Sequence, residues 1–208
     1  MATPGVAYHA VETLDERART LAELTEIFAE VGAEHVLIGG IAVGYHGRLR
    51  ATVDANLLVP RDRLEPLTRA LEARGYDVAA TVDMVRVFRP GSDPDEDEAI
   101  ADLVAREANP VLSAAAQHHE PATVLGQRVR IVPRGVLVAL KFHAAVSPRR
   151  EIGDKYQDVA DISRIIAKRF DASDEALALE IAAHVYDGAP TELATLIDDL
   201  RNGRPVKI

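Results

Sequence analysis

The spacing of apolar residues changes at Pro133, and this change limits the folds open to the chain. Before Pro133, short apolar runs such as 35–38 and 54–59 end at glycine or proline, which is typical of buried strands. After Pro133, apolar residues recur at helical spacing in four segments, at about 134–146, 155–169, 173–186 and 190–201. The pattern predicts an α/β domain over residues 1–132 and a helical domain over 133–208.

Composition excludes several classes of function. The sequence has no cysteine, which rules out disulfides, thiolate metal sites and cysteine nucleophiles. Aromatic residues make up 4%, which argues against a nucleic-acid surface built on base stacking. Because the sequence shows neither a signal-peptide pattern nor an apolar run of about 18 residues, we expect a cytoplasmic protein without a membrane span.

Charge is unevenly distributed along the chain. The formal net charge is −9, yet residues 128–169 contain ten Lys and Arg against four Asp and Glu. A local basic surface on an acidic protein suits a polyphosphate or one stretch of RNA. A solvated helical face is the alternative interpretation of the same residues.

Gly39 and Gly40 follow the first predicted strand, and a short helix follows them. Glycines at such a junction let backbone N–H groups approach an anion, which the helix dipole also favours; a tight turn with close packing is the simpler alternative. The next strand opens with Asp54, and a carboxylate there can hold a Mg²⁺ ion that bridges to phosphates. Asp102, central in another predicted strand, is the candidate for a further metal ligand.

Residues 36–59, VLIGGIAVGYHGRLRATVDANLLV, resemble the signature of the minimal nucleotidyltransferases, in particular the AbiEii-like toxins of abortive-infection and toxin–antitoxin systems. The family pattern is Gly-Gly or Gly-Ser, about a dozen residues, Arg-x-Thr-x-Asp-x-Asp and then an apolar strand. The matching residues here are Gly39, Gly40, Arg50, Thr52, Asp54 and Asn56. Together with two downstream segments, the resemblance extends over about residues 20–170.

The first downstream segment, 132–145, resembles the family helix whose lysine contacts the triphosphate, here Lys141. The second, 154–166, resembles the family's Lys/Arg-x-x-Asp-x-x-Asp-Ile helix, with Asp158 and Asp161. Without the resemblance, a lysine in an apolar helix either reaches water or meets an anion, and two aspartates one turn apart can form a salt-bridged face. We predict that Lys141 binds the triphosphate and that the aspartates orient it or nearby arginines.

The resemblance implies a polymerase-β-like nucleotidyltransferase fold, in which a mixed sheet with flanking helices precedes a helical bundle. It implies transfer of a nucleoside monophosphate from an NTP, with Mg²⁺ as cofactor, to an RNA end of the tRNA kind or to a protein hydroxyl. The setting it implies is a toxin with a cognate antitoxin. The implied catalytic and metal-binding residues are Asp54, Asn56 and Asp102, and the implied nucleotide-binding residues are Gly39, Gly40, Arg50, Thr52, Lys141 and Asp158.

Asn56 departs from the family pattern, which has aspartate at this position. Mg²⁺ prefers charged oxygen ligands, and asparagine offers one neutral carbonyl, so loss of a carboxylate should weaken a two-metal site. Three explanations remain open: a weakened or redirected enzyme, a nucleotide- or partner-binding module that kept the fold, or an engineered inactivating change. Because each residue lies in or beside a predicted strand, we expect the side-chain oxygens of Asp54, Asn56 and Asp102 to converge within about 6 Å, the span of one or two shared metal ions.

Overall fold

A computed structural model of the chain describes residues 4–47 and 54–206, with side chains from residue 15 onward. Arg50 and Thr52 therefore lie outside the described residues. Within these ranges, no helix is long and apolar enough to cross a membrane.

Strands and helices are interspersed in the first two thirds of the chain, and helices alone follow. The strands are β1 (Val36–Ile38), β2 (Ala55–Val59), β3 (Asp77–Ala80), β4 (Met84–Phe88), β5 (Ala101–Ala105), β6 (Glu120–Val124) and β7 (Gln127–Ile131). The helices are α1 (Pro4–Val31), α2 (Gly39–His46), α3 (Arg61–Ala73), α4 (Pro110–Ala116), α5 (Arg134–Val146), α6 (Ile152–Arg169), α7 (Ala172–Ala182) and α8 (Ala189–Arg201).

All of these strands join one sheet in the order β3-β4-β5-β2-β1-β7-β6. The pairs β1–β2, β3–β4 and β4–β5 are antiparallel, whereas β2–β5 and β1–β7 are parallel. The sheet is therefore mixed, and the predicted fold class, a mixed sheet followed by a helical bundle, is confirmed.

Strand periodicity separates an apolar face of the sheet from a more polar one. Along β5, Leu103 is fully buried, while Asp102 and Val104 are half-buried, because successive side chains point to opposite faces. Helix α3 contacts β3, β4 and β5, and α1 contacts α3, β2 and β7. Burial of the apolar face against these helices therefore fixes which strand residues face the other way.

The chain forms two compact units. The described part of the first contains residues 4–41, 54–108 and 121–131, and that of the second contains 42–47, 109–120 and 132–206. In the second unit, α5 packs against α6 and α7, and α7 packs against α8. The approach of α5 to α7 is close, since a Cβ on Gly135 would lie 2.2 Å from the carbonyl oxygen of Asp174.

Helix α4 and strand β6 were not predicted from the sequence. Helix α4 has Asn109 as its N-cap, with a side-chain oxygen 2.9 Å from the backbone nitrogen of Leu112, and Pro110 follows in the first turn. Asn-Pro is a helix-start signal, but the helix is short and its small residues give no clear periodicity. Strand β6 is largely exposed, so it lacks the apolar run that identifies a buried strand.

Candidate active site

The glycine turn follows β1 directly, and α2 begins at Gly39. Gly39 has φ +69°, and a Cβ there would lie 2.7 Å from the Cβ of Asn56. Only glycine adopts this conformation at low cost and leaves this space free. The first amides of α2 have no acceptor within the helix, so a phosphate can approach them beside Asn56.

Three polar side chains share one row across the middle of the sheet. Asn56 on β2 is the register partner of Asp102 on β5, and Asp102 is the register partner of Arg86 on β4. Directly opposed residues on neighbouring strands project to the same face. Asn56 is also opposite Ile38, the residue before Gly39, so the row begins beside the glycine turn. The sheet therefore brings Asn56, Asp102 and the turn together.

Asp54 joins this row through Asn56. It immediately precedes β2 and lies two residues before Asn56, on the same side of the strand. The Nδ2 group of Asn56 donates a hydrogen bond to Oδ2 of Asp54 at 2.5 Å. The amide thus orients the Asp54 carboxylate, while its own carbonyl oxygen stays available as an acceptor.

Arg86 is a member of the row that the sequence did not single out. Its Nε lies 3.5 Å from Oδ1 of Asp102, and its guanidinium carbon lies 5.2 Å from the centre of the Phe88 ring. The only hint in the sequence is one charge in the middle of the apolar run MVRVF. That pattern places Arg86 on the face opposite Val85 and Val87, but only strand register shows that Asp102 is its neighbour.

The donor set of the row fits one magnesium ion. Mg²⁺ in proteins is commonly held by one or two carboxylates, with substrate phosphates and water completing the octahedron. Asp54 and Asp102 provide the carboxylates, and Asn56 adds an amide oxygen. Among the side chains that the structure describes, at residues 15–47 and 54–206, no group of three or more His, Cys, Asp or Glu is placed to hold a metal ion, so these residues do not form a three-carboxylate site.

Lys141 belongs to a buried ion-pair cluster in the helical unit. Its Nζ lies 2.8 Å from Oδ1 of Asp158 and 2.9 Å from Oδ2 of Asp161, and both carboxylates are almost fully buried. Arg150 also pairs with Asp158 at 3.1 Å, and Arg164 pairs with Asp161 at 2.7 Å. The two aspartates are therefore paired with Lys141 and with two arginines. Binding of a triphosphate by Lys141 or Asp158 stays a prediction, since any anion must compete with two carboxylates for this amine.

His46 is the last residue of helix α2, and it is buried and hydrogen-bonded to the backbone, as is typical of a structural histidine. The residue is 2% exposed, and its Nε2 lies 2.7 Å from the carbonyl oxygen of Val132. Burial lowers the pKa of His46 below its usual value, because desolvation disfavours the charged ring more than the carbonyl stabilises it. The neutral ring is thus the form that the fold accommodates.

Solved structures of similar fold include a nucleotidyltransferase-like protein and an antibiotic-resistance factor. An antigenic nucleotidyltransferase-like protein from Paracoccidioides brasiliensis has a TM-score of 0.55 and 15% identity, over 88% of this chain and 93% of its own. ANT(2")-Ia in complex with adenylyl-2"-tobramycin has a TM-score of 0.55 and 14% identity, over 81% of this chain and 98% of its own. The solution structure of the antibiotic-resistance factor ANT(2'')-Ia has a TM-score of 0.51 and 17% identity, over 80% of this chain and 91% of its own.

This chain has a nucleotidyltransferase fold. No protein family matches it by sequence, and no curated relative does. At such low identities the likeness concerns the fold alone. The nucleotidyltransferase fold predicted from the Gly39–Asn56 pattern is confirmed, and the assignment to the AbiEii-like toxins stays a prediction.

Proposed function

We propose that the chain is an NTP-dependent nucleotidyltransferase that transfers a nucleoside monophosphate to a hydroxyl group and releases pyrophosphate. The observation that carries this proposal is the packing of the Gly39 turn on Asn56, with Asp54 and Asp102 in the same row. A phosphate-binding turn and carboxylate metal ligands are the two parts that a magnesium-nucleotide site requires. A glycine turn at a helix start and two carboxylates lie within one stretch of sheet here, and this arrangement supports the proposal.

In this proposal the glycine turn, Asp54, Asn56 and Asp102 each have a distinct part. The backbone amides after Gly39 bind phosphate oxygens, and Asp54 and Asp102 hold the metal with help from the Asn56 carbonyl. When bound, Mg²⁺ supplies neutralisation of phosphate charge and alignment of the attacking and leaving oxygens. Asn56 keeps Asp54 oriented through the hydrogen bond from its amide. The acceptor hydroxyl releases its proton to water, and its oxygen bonds to the α-phosphorus as the bond to pyrophosphate breaks.

The acceptor proposed is an RNA end of the tRNA kind or a protein hydroxyl, in a toxin that a cognate antitoxin restrains. Support comes from the basic composition of residues 128–169 and from the resemblance of 36–59 to the AbiEii-like signature. A small-molecule hydroxyl is the competing acceptor, because the complex of ANT(2")-Ia contains an adenylylated tobramycin.

One observation favours a second function, a nucleotide-binding module without catalysis. Asn56 replaces a carboxylate in the row and is bonded to Asp54, so the negative charge available to metal ions is reduced. A module of this kind binds NTP and releases it unchanged.

The deciding experiment is transfer of label from each α-³²P-labelled NTP with Mg²⁺. Total RNA, a protein extract and an aminoglycoside serve as separate acceptors. We expect label in RNA or protein, and a loss of about 10²–10³ for Asp54→Ala, the usual cost of removing one electrostatic partner from such a site. Asp62→Ala, at an exposed aspartate on α3, is the matched control and should keep full activity.

The other outcomes separate the alternatives. Label in the aminoglycoside alone contradicts the proposed acceptor but supports nucleotidyl transfer. Nucleotide binding in a calorimetric titration without transfer to any acceptor establishes the binding module. If neither binding nor transfer occurs, the nucleotidyltransferase proposal is wrong.

A further inference from the structure

Arg86 introduces a fixed positive charge among the candidate metal ligands. It is the register partner of Asp102, which is in turn the register partner of Asn56. Its Nε contacts Asp102 at 3.5 Å, and the ring of Phe88 lies beneath its guanidinium. Arg86 is thus held by both its neighbour in the row and its own strand.

The Arg86 guanidinium has N–H donors that are available to a ligand. The side chain of Arg86 is 41% exposed, and its Nη groups have no hydrogen-bonding partner among the side chains that the structure describes. A guanidinium presents several N–H donors in a planar fork that matches phosphate oxygens. Nε can therefore stay on Asp102 while the two Nη groups bind an anion in front of the row.

Formal charges show what this arginine changes. Asp54, Asp102 and Arg86 together carry a charge of minus one, and one divalent ion brings the cluster to plus one. A site of three carboxylates with two divalent ions, the arrangement of the family pattern, also reaches plus one. Asparagine at position 56 and arginine at position 86 together therefore reproduce the charge balance with a single ion.

We propose that Arg86 takes the place of a second metal ion, so that this site binds an NTP with one divalent ion and with the Arg86 guanidinium on its phosphates. This inference rests on the proposed function and defines how the nucleotide is held. In this arrangement the negative charge that asparagine lacks at position 56 and the positive charge of Arg86 together make up for the two charges of a second metal ion, which makes that ion unnecessary. A carboxylate at position 56 would lie in a cluster in which the Arg86 guanidinium already provides the second positive charge.

The test measures nucleotide affinity and ion stoichiometry, with no dependence on turnover. The ligand is an ATP analogue with a methylene group between the α- and β-phosphorus atoms, titrated by calorimetry with Mn²⁺. Bound Mn²⁺ per chain is counted by electron paramagnetic resonance. We expect one Mn²⁺ per chain for the unsubstituted protein.

Arg86→Gln should weaken analogue binding about ten- to hundredfold, the effect of losing one charge-assisted contact, and Arg86→Lys should restore part of it. The matched control is Arg89→Gln, which removes an arginine of similar exposure just after β4 that pairs with Glu16. This control should leave the affinity unchanged. The affinity loss for Arg86→Gln should persist when EDTA removes the metal, because the guanidinium acts on the phosphates directly.

The number of Mn²⁺ ions bound by each variant shows whether Arg86 replaces a second metal ion or whether Asn56 is only a missing ligand. We expect Asn56→Asp alone to bind one Mn²⁺ and Asn56→Asp with Arg86→Gln to bind two. Two ions in the unsubstituted protein, or two in Asn56→Asp alone, would overturn the proposal. It would also be overturned if Arg86→Gln and Arg89→Gln had equal affinities, since Arg86 would then be a structural partner of Asp102. Failure of every variant to bind the analogue refutes the proposed function itself, and the role of Arg86 with it.

Discussion

The close approach of Gly39 to Asn56 predicts that one methyl group added at position 39 lowers the stability of the fold strongly, and more than at a glycine with open space beside it. An alanine at position 39 would place its Cβ 2.7 Å from the Cβ of Asn56. Because the Asn56 Cβ is fixed to its backbone, rotation of the side chain cannot relieve the clash. The turn must therefore move away from β2, and the first amides of α2 move with it.

The cost has two parts. A left-handed conformation in a non-glycine residue costs about 1–2 kcal/mol, and forcing an additional carbon into a packed site costs about 1–3 kcal/mol. We expect Gly39→Ala to lower the free energy of unfolding by about 2–5 kcal/mol. Urea denaturation followed by circular dichroism measures this change.

Gly32 provides a control for the cost of the left-handed backbone conformation alone. Its φ is +66°, nearly that of Gly39, but no atom lies within 4 Å of the position of an added Cβ. Gly32→Ala should therefore cost only about 1–2 kcal/mol. The reduced flexibility of the unfolded chain is common to both variants, so it cancels in the difference between them.

A double-mutant cycle isolates the contact itself. Asn56→Gly removes the atom that a Cβ at position 39 would strike, so Gly39→Ala should cost about 1–3 kcal/mol less in that background than in the unsubstituted protein. Equal costs for Gly39→Ala and Gly32→Ala, or no coupling with position 56, would refute the close approach of the turn to β2.

Three further predictions concern stability. Lys141→Met should lower the free energy of unfolding by about 3–5 kcal/mol in urea, because it removes the shared cation from buried Asp158 and Asp161; a loss below about 1 kcal/mol would contradict this role. Because the pKa of His46 is lowered from 6.5, its contribution to stability is present above pH 6.5 and is lost as the pH falls toward the folded-state value. His46→Gln should reduce that dependence by up to about 1.4 kcal/mol per pH unit, and an unchanged slope would contradict the assignment. Asn109→Ala should cost about 1 kcal/mol in thermal or urea unfolding by removing the cap of α4, whereas a neutral effect would show that the cap is unimportant.

Local sequence was sufficient for most of the elements. Helices α5, α6, α7 and α8 lie at nearly the predicted positions, because their apolar residues repeat at the period of a packed helix. Strand β2 was predicted because its apolar run ends at Pro60. Exposed or short elements such as β6 lack these patterns, since their positions depend on neighbouring elements and not on their own periodicity.

The candidate site was predictable only where its residues are close in sequence. Gly39, Asp54 and Asn56 fall within one recognisable segment, and their order implies a strand, a turn and a second strand. Asp102 was inferred from its central position in a predicted strand, and the register of β5 against β2 places it beside Asn56. Arg86 was missed because no local pattern indicates which residue lies across a strand pair.

The sequence by itself determined the alternation of strands and helices, the glycine turn and the chemical types of the residues beside it. Local conformational preference and apolar period govern these features, and both are properties of neighbouring residues. The tertiary structure decided which charges meet: Arg86 with Asp102 on the sheet, and Lys141 with two buried aspartates in the helical unit. These pairings depend on strand order, register and helix packing, which are set by burial of the whole core and not by any one segment.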